Sequence, residues 1–414
     1  MSAARRVGGD DRGAILVHVA IALLALVAFS TFVADYGVLW ASRRQAQNSA
    51  DAGAIAGAVG LAFDNNSDLT DTGPAKESAF LATQRNFVWG QSPNVVKATD
   101  ITFAVCPDGV GNCVRVDVYR NEARGNALPI FFGYFVGLTS QGVRATATAE
   151  VIFGNASDCL KPWAVIDKWA EHWPIDPGTW DLTSTFDKYD KNGNLDPAIT
   201  HPDVYIPPST TDYGTGFHPF QADGHTYTGD YGRRFSLKVG DPKTDWDYAS
   251  GWFSALALLD SSGGKDYLNN IKGCIGVTYK VGDELPIDTE PGEKTGPTAQ
   301  AVNTDVDSLV NQDPTAYWDP ALNGGRGGVS HSAYGVSPRI VAIPLVNPDA
   351  MIQVQQGGRT SVPISNIMGF FVEGYDNATK SVTGYMVTMP GKLVAGGLPT
   401  GPAGSFLIQI VLVR

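Results

Sequence analysis

GAILVHVAIALLALVAFSTFVADYGVLW, residues 13–40, decides how the rest of the chain is read. Between Ala14 and Ala34 there is no Asp, Glu, Lys or Arg, and the polar side chains are His18, Ser30 and Thr31. That run is about the ~20 apolar residues a helix needs to cross a bilayer. A charge is costly at bilayer depth, so Asp35 fits at the far interface, with Tyr36 and Trp40 as interfacial aromatics. Arg12 closes the near end, and Arg43 with Arg44 closes the far one. The stretch reads as a retained membrane anchor. The alternative is a cleaved leader, whose apolar region is ~7–15 residues.

The anchor runs without a break into SRRQAQNSADAGAIAGAVGLAF, residues 42–63. Ala46, Ala50, Ile55, Ala58, Val59 and Ala62 recur at steps of three to five, a narrow helical stripe. Side chains this small allow close packing against a partner helix or a sheet. Arg5, Arg6 and Arg12 on one side outnumber Arg43 and Arg44 on the other. Under the positive-inside rule this keeps residues 1–12 as a short cytoplasmic tail and places everything after Trp40 outside.

The chain has 414 residues, 43% hydrophobic and 17% charged. It can build a sizeable core, and its charge is too low for a disordered polymer. The 47 Gly and 25 Pro point to many turns and a β-rich ectodomain. With 42 acidic against 30 basic residues the net charge is -12, which excludes a nucleic-acid binder built on a basic patch. None of Cys106, Cys113, Cys159 and Cys274 forms a Cys-x-x-Cys pair, so zinc and redox motifs lack support. In an exported protein they form two disulfides. Cys106 pairs with Cys113 across a turn-rich hairpin loop, and Cys159 with Cys274 by elimination. In a cytoplasmic protein all four are buried thiols instead.

Arg12-Gly13-Ala14, the apolar run, Asp35-Tyr36-Gly37, Arg43-Arg44-Gln45-Ala46-Gln47-Asn48 and Ser49-Ala50-Asp51-Ala52-Gly53-Ala54 together resemble the N-terminal segment of TadG-like proteins. These are components of the tight-adherence (Tad, Flp pilus) assembly machinery of bacteria. Two departures stand out. His18 occupies the place where a prepilin-type cleavage site carries Glu, and the Asp-x-Ser-x-Ser metal motif of larger members is missing. The resemblance implies a non-enzymatic accessory protein, single-pass in the inner membrane, whose anchor and Ala-rich helix dock other Tad/Flp components.

Beyond the anchor, a loop leads to a short helix beginning near Pro74. Strands are expected at 101–105, 114–119 and 141–153, with Val114, Val116 and Val118 inward and Arg115 and Asp117 outward. The apolar patch opened by Pro129-Ile130-Phe131-Phe132 is expected to pack under that sheet. TadG-like proteins likewise follow the anchor with alternating strands ending in an Ala-Thr-Ala-like run. Residue 155 opens an aromatic-rich, loop-rich region, with strands expected at 234–239, 275–281, 338–346, 362–372 and 406–413. The strings Gly296-Pro297-Thr298, Asp313-Pro314, Trp318-Asp319-Pro320, Ser337-Pro338-Arg339-Ile340-Val341 and Gly369-Phe370-Phe371-Val372-Glu373-Gly374 are also similar to a subset of TadG-like ectodomains. The fold class is α+β: a transmembrane and Ala-rich helix over 13–63, a small α+β module over 64–153, and a mostly β ectodomain over 155–414.

The best candidate site is Asp187-Lys188-Tyr189-Asp190-Lys191-Asn192-Gly193-Asn194-Leu195-Asp196. Asp190, Asn192, Asn194 and Asp196 place oxygen ligands at alternate positions, as a Ca²⁺ loop requires. The EF-hand register fails, because with Gly193 sixth, Lys188 is first and Ile199 twelfth. A non-EF loop would be completed by Asp187 or Asp203. The plain alternative is an Asx-turn loop bonding its own backbone. His218, Asp223 and His225 match no standard zinc spacing. Ser330-His331-Ser332 lacks a Gly-x-Ser-x-Gly elbow. Trp163, Trp169 and Trp173 read as core before they read as a sugar platform. His18 is a polar helix–helix contact or a tolerated interior residue. The second functional hypothesis is a cell-surface hydrolase or carbohydrate-binding protein carrying a TadG-like anchor.

Overall fold

The computed structural model describes residues 11–64, 68–106, 112–172, 179–209, 212–221, 226–240, 249–260, 264–288, 294–355, 360–397 and 404–413. Contacts divide the chain into two compact units: Met1–Gly60 with Asp68–Glu150 and Leu412–Arg414, and Leu61–Ser67 with Val151–Val411.

The first unit is organised on one helix, α1 (Asp11–Phe63). At ~1.5 Å rise per residue it is about 80 Å long, more than twice a ~30 Å hydrocarbon core. It is long and apolar enough to cross a membrane. α2 (Pro74–Arg85) begins with Pro in its first turn, where the missing N–H costs nothing. It buries Ala75, Ala79 and Thr83, spaced four apart and so on one face. Three strands follow: β1 (Ile101–Val105), β2 (Asn112–Arg120) and β3 (Val143–Phe153). They form antiparallel ladders, with Ile101 opposite Val116 and Val116 opposite Ala147. Val114, Val116 and Val118 are fully buried on the inner face, as their alternation predicts. Ala145, Ala147 and Ala149 continue that face along β3.

The second unit is built on a closed ring of six strands: β4 (Trp163–Ile166), β5 (Arg234–Val239), β6 (Trp252–Ala255), β7 (Ile340–Val346), β8 (Ser361–Asp376) and β9 (Ser381–Val387). The ladders run β7-β4-β6-β5-β9-β8 and return to β7. β4–β7 and β5–β6 are parallel and the other four antiparallel. A ring this small has no lumen, because inward side chains fill it. Val165, Phe235, Phe253, Ile343, Phe370 and Met386, one from each strand, share this core. Gly384 makes room for it: a Cβ there would lie 2.6 Å from the Phe370 ring and 2.1 Å from the Phe371 carbonyl oxygen. On the outer face a second cluster joins Ala164 and Ile166 to Met351 and Ile352 of α3 (Pro348–Gln355). Trp169 belongs to this second cluster and Trp163 to the barrel core, while Trp173 lies outside the described residues.

Most expected strands are found within a few residues. The region 275–281 contributes two paired residues, Tyr279 and Lys280, opposite Ser157 and Ala156. Disulfides join Cys106 to Cys113 and Cys159 to Cys274. The second closes a loop of 115 residues, long enough for a large entropic penalty on the unfolded chain. Replacing Cys159 and Cys274 together by Ser is expected to cost about 2–5 kcal/mol in chemical denaturation of the oxidised protein. Unchanged stability would contradict the bridge.

Candidate functional site: the N-terminal helix and its collar

From Ile15 to Val33 the large apolar side chains of α1 are exposed, among them Leu24, Phe29 and Phe32. His18 is exposed on the same stretch. The environment changes at Asp35, which is 4% exposed. Its carboxylate accepts hydrogen bonds from three successive backbone amides, Phe131 at 2.8 Å, Phe132 at 3.1 Å and Gly133 at 2.6 Å. Successive amides aimed at one anion form a nest, and bonds to a carboxylate are stronger than neutral ones. Gly133 suits this close approach, since a Cβ would sit 3.1 Å from Asp35 Oδ2 and 2.9 Å from Leu138 Cδ1. The apolar patch opened at Pro129 therefore does not pack under the sheet. Phe131 and Phe132 are exposed, and their backbone amides are bound to the helix.

The Ala-rich half of α1 packs against a helix and a sheet strand of its own unit. Ser42, Ala46, Ala50, Ala54 and Ala58 follow one another at steps of four and are fully buried. A Cβ on Gly53 would meet Thr83 Cγ2 at 2.4 Å, one on Gly57 would meet Val114 Cγ1 at 2.7 Å, and one on Gly60 would meet Ala75 Cα at 2.8 Å. The small face thus lets α2 and β2 of the same unit approach the helix closely. Ile55 and Val59, read as part of the stripe, are 40% and 43% exposed. Polar residues of the segment fasten the same contact. Gln45 Oε1 accepts from the Trp89 amide at 2.7 Å. Gln47 Nε2 donates to the Thr146 carbonyl at 3.2 Å and to Asp51 Oδ1 at 2.7 Å. The buried Ser49 hydroxyl donates to the Thr83 carbonyl at 3.1 Å.

The Asp/Asn loop closes on itself. Asp190 Oδ1 accepts from the amides of Asn192 at 2.8 Å and Asn194 at 2.9 Å, and these bonds to the loop backbone hold its carboxyl below the usual range. Gly193 has φ +72°, the turn geometry that glycine permits. Asp196 Oδ1 accepts from the Ala198 amide at 2.9 Å. Asp203 caps the amides of His172 at 2.9 Å and Asp187 at 2.7 Å. The bonds to Asp190 and Asp196 are local Asx-turn bonds, whereas those to Asp203 join it to distant segments. His218 stacks on Tyr213 with ring centroids 3.8 Å apart, and its Nδ1 lies 2.8 Å from the Gly216 carbonyl. Asp223 and His225 lie outside the described residues. Among the described residues one group of potential metal ligands converges, Cys106, Cys113 and Glu150, but the disulfide removes the thiolates a metal would need.

Several strings without assigned chemistry meet around a buried arginine. Arg339 Nε donates to the Val372 carbonyl at 2.9 Å, Nη1 to the carbonyls of Ala316 at 2.6 Å and Asp313 at 3.1 Å, and Nη2 to Glu373 at 2.8 Å. The Asp313 carboxylate accepts from Ser332 and Ser337, each at 2.6 Å. Although burial opposes it, these bonds and Arg339 hold the Asp313 carboxyl below its usual range. Ser330 Oγ and His331 Nδ1 are 2.9 Å apart, but Asp313 serves the neighbouring serines. The cluster ties a loop to β8.

Residues 13–60 match the family described as "Putative Flp pilus-assembly TadE/G-like" (Tad). The N-terminal segment is similar to that family over these residues. The match spans the exposed apolar run, Asp35 and the buried small face, so the Tad segment is the part of the chain that carries both the apolar surface and the module's seat. No curated protein matches the chain, and no solved structure does.

Overpacking a closed face costs ~1–3 kcal/mol per site. Ala50→Leu with Ala54→Leu is therefore expected to lower the melting temperature of the first unit and the amount of protein recovered. Ile55→Ala with Val59→Ala, on the exposed side, is expected to leave both unchanged. Equal behaviour of the two pairs would contradict the packing.

Proposed function

We propose that this chain is a non-enzymatic accessory protein of Tad/Flp pilus assembly, single-pass in the inner membrane, with the region after Trp40 outside the cytoplasm. The observation that carries this reading is the match of 13–60 to the Flp pilus-assembly family, on a helix whose residues 15–33 expose their apolar side chains. Orientation is supported by the arginine bias of residues 1–12 and by two disulfides after the helix, which belong to an oxidising compartment. A non-enzymatic role is supported by the candidate carboxylates: Asp190, Asp203 and Asp313 each accept bonds from their own surroundings. Since α2 and β2 occupy the small face, docking to other assembly components falls to the exposed apolar half of the anchor.

Protease added to right-side-out spheroplasts is expected to degrade the region after Arg43 and to spare an N-terminal tag. A protected ectodomain would reverse the orientation. Loss of the chain is expected to abolish surface pili. Replacing residues 14–34 with an unrelated apolar helix of equal length is expected to preserve membrane insertion while reducing piliation. Normal pili without the chain would end the assembly reading, and normal pili with the swapped helix would make the anchor a plain tether.

A further inference from the structure

The segment that Asp35 holds is unusual for a loop. No Asp, Glu, Lys or Arg occurs between residues 125 and 143. Phe131 is 53% exposed, Tyr134 65%, Phe135 75% and Leu138 48%. Clustered exposed apolar side chains of this size mark a surface that something else covers. The backbone beneath them is largely satisfied. The amides of 131, 132 and 133 go to Asp35. Those of Phe135, Gly137 and Leu138 go to the carbonyls of Phe132, Tyr134 and Gly133, at 3.0, 3.2 and 3.0 Å. Apolar surroundings demand this of any backbone that enters them.

We propose that residues 130–138 form a second membrane contact, an aromatic foot seated in the headgroup–acyl interface of the bilayer that α1 enters. This rests on the reading of residues 14–34 as a membrane anchor. Lipid is the occupant because of where the foot is fixed. Asp35 is the first charged residue after the apolar run, so its three bonds fasten the foot at the turn where the helix leaves the hydrocarbon. Phe32 and Tyr36, stacked at 5.3 Å and both exposed, continue the aromatic surface along the helix at that level. Tyr and Trp favour this layer, and Phe and Leu enter it from amphipathic anchors. Two contacts joined by Asp35 fix the depth and rotation of α1, which one apolar helix alone leaves free.

The four cysteines of the chain are all bridged, so an added cysteine can be labelled alone. The full chain carrying Phe135→Cys with an environment-sensitive fluorophore is reconstituted in vesicles of phosphatidylethanolamine and phosphatidylglycerol containing a nitroxide lipid labelled near the headgroup. The expected result is blue-shifted emission, quenched by the nitroxide lipid and not by aqueous iodide. In the Asp35→Ala background most of that lipid quenching is lost and iodide gains access. Quenching by iodide alone, or shielding from both quenchers as under a second copy, overturns the proposal; so does lipid quenching that Asp35→Ala leaves intact. A label at Leu24→Cys tests the anchor separately with a nitroxide placed deep in the acyl chain. If Leu24 is quenched and Phe135 is not, the foot fails and the anchor stands; if Leu24 is not quenched, the anchor reading itself fails.

Discussion

Gly53, Gly57 and Gly60 have no room for a single carbon atom, and that closeness organises the first unit. A helix leaving a membrane has no reason of its own to remain one rigid element, since helices without tertiary packing are marginal in water. Here the small face lets α2 and β2 approach the α1 backbone. The buried alanines between the glycines add packing at low side-chain entropy. The module is therefore an outer wall for the upper half of α1, and the helix supplies the floor under Val114 and Val116.

The polar residues of the matched segment acquire roles in this arrangement. Gln45, Gln47 and Ser49 fasten neighbouring backbone to the helix. Asp35 gathers three amides at the point where the apolar run ends. A motif that reads as a docking code for other proteins is, in these contacts, a code for seating the chain's own module. The barrel of the second unit shows the same economy. Arg339 and Asp313 spend their bonding capacity on loop carbonyls and serine hydroxyls, and so join strings far apart in sequence.

Local pattern carried part of this into the sequence. The uncharged run, the Val114–Val118 alternation and the hairpin spacing of Cys106 and Cys113 all depend on neighbours along the chain. Three features depend on distant partners and were not legible. Closure of the barrel rests on parallel pairings such as Val165 with Leu345, which no local periodicity encodes. The Ala-rich face looks alike whether a foreign helix or the chain's own β2 covers it. Phe131 and Phe132 looked like core because composition does not distinguish an interior from a lipid-facing surface; the bonds to Asp35, nearly a hundred residues earlier, decide it. For the Asp/Asn loop, the alternating oxygens fit both metal and turn, and Asp190 accepts two amides of its own loop.

The claim that the upper half of α1 is a structural member of its module is tested most directly by hydrogen exchange on the full chain in lipid nanodiscs, under increasing mild denaturant. Amides of residues 46–60 are expected to be protected as strongly as those of β2 and to open together with them, as one cooperative unit. Exchange of residues 46–60 ahead of β2, at the pace of a solitary helix, would contradict it.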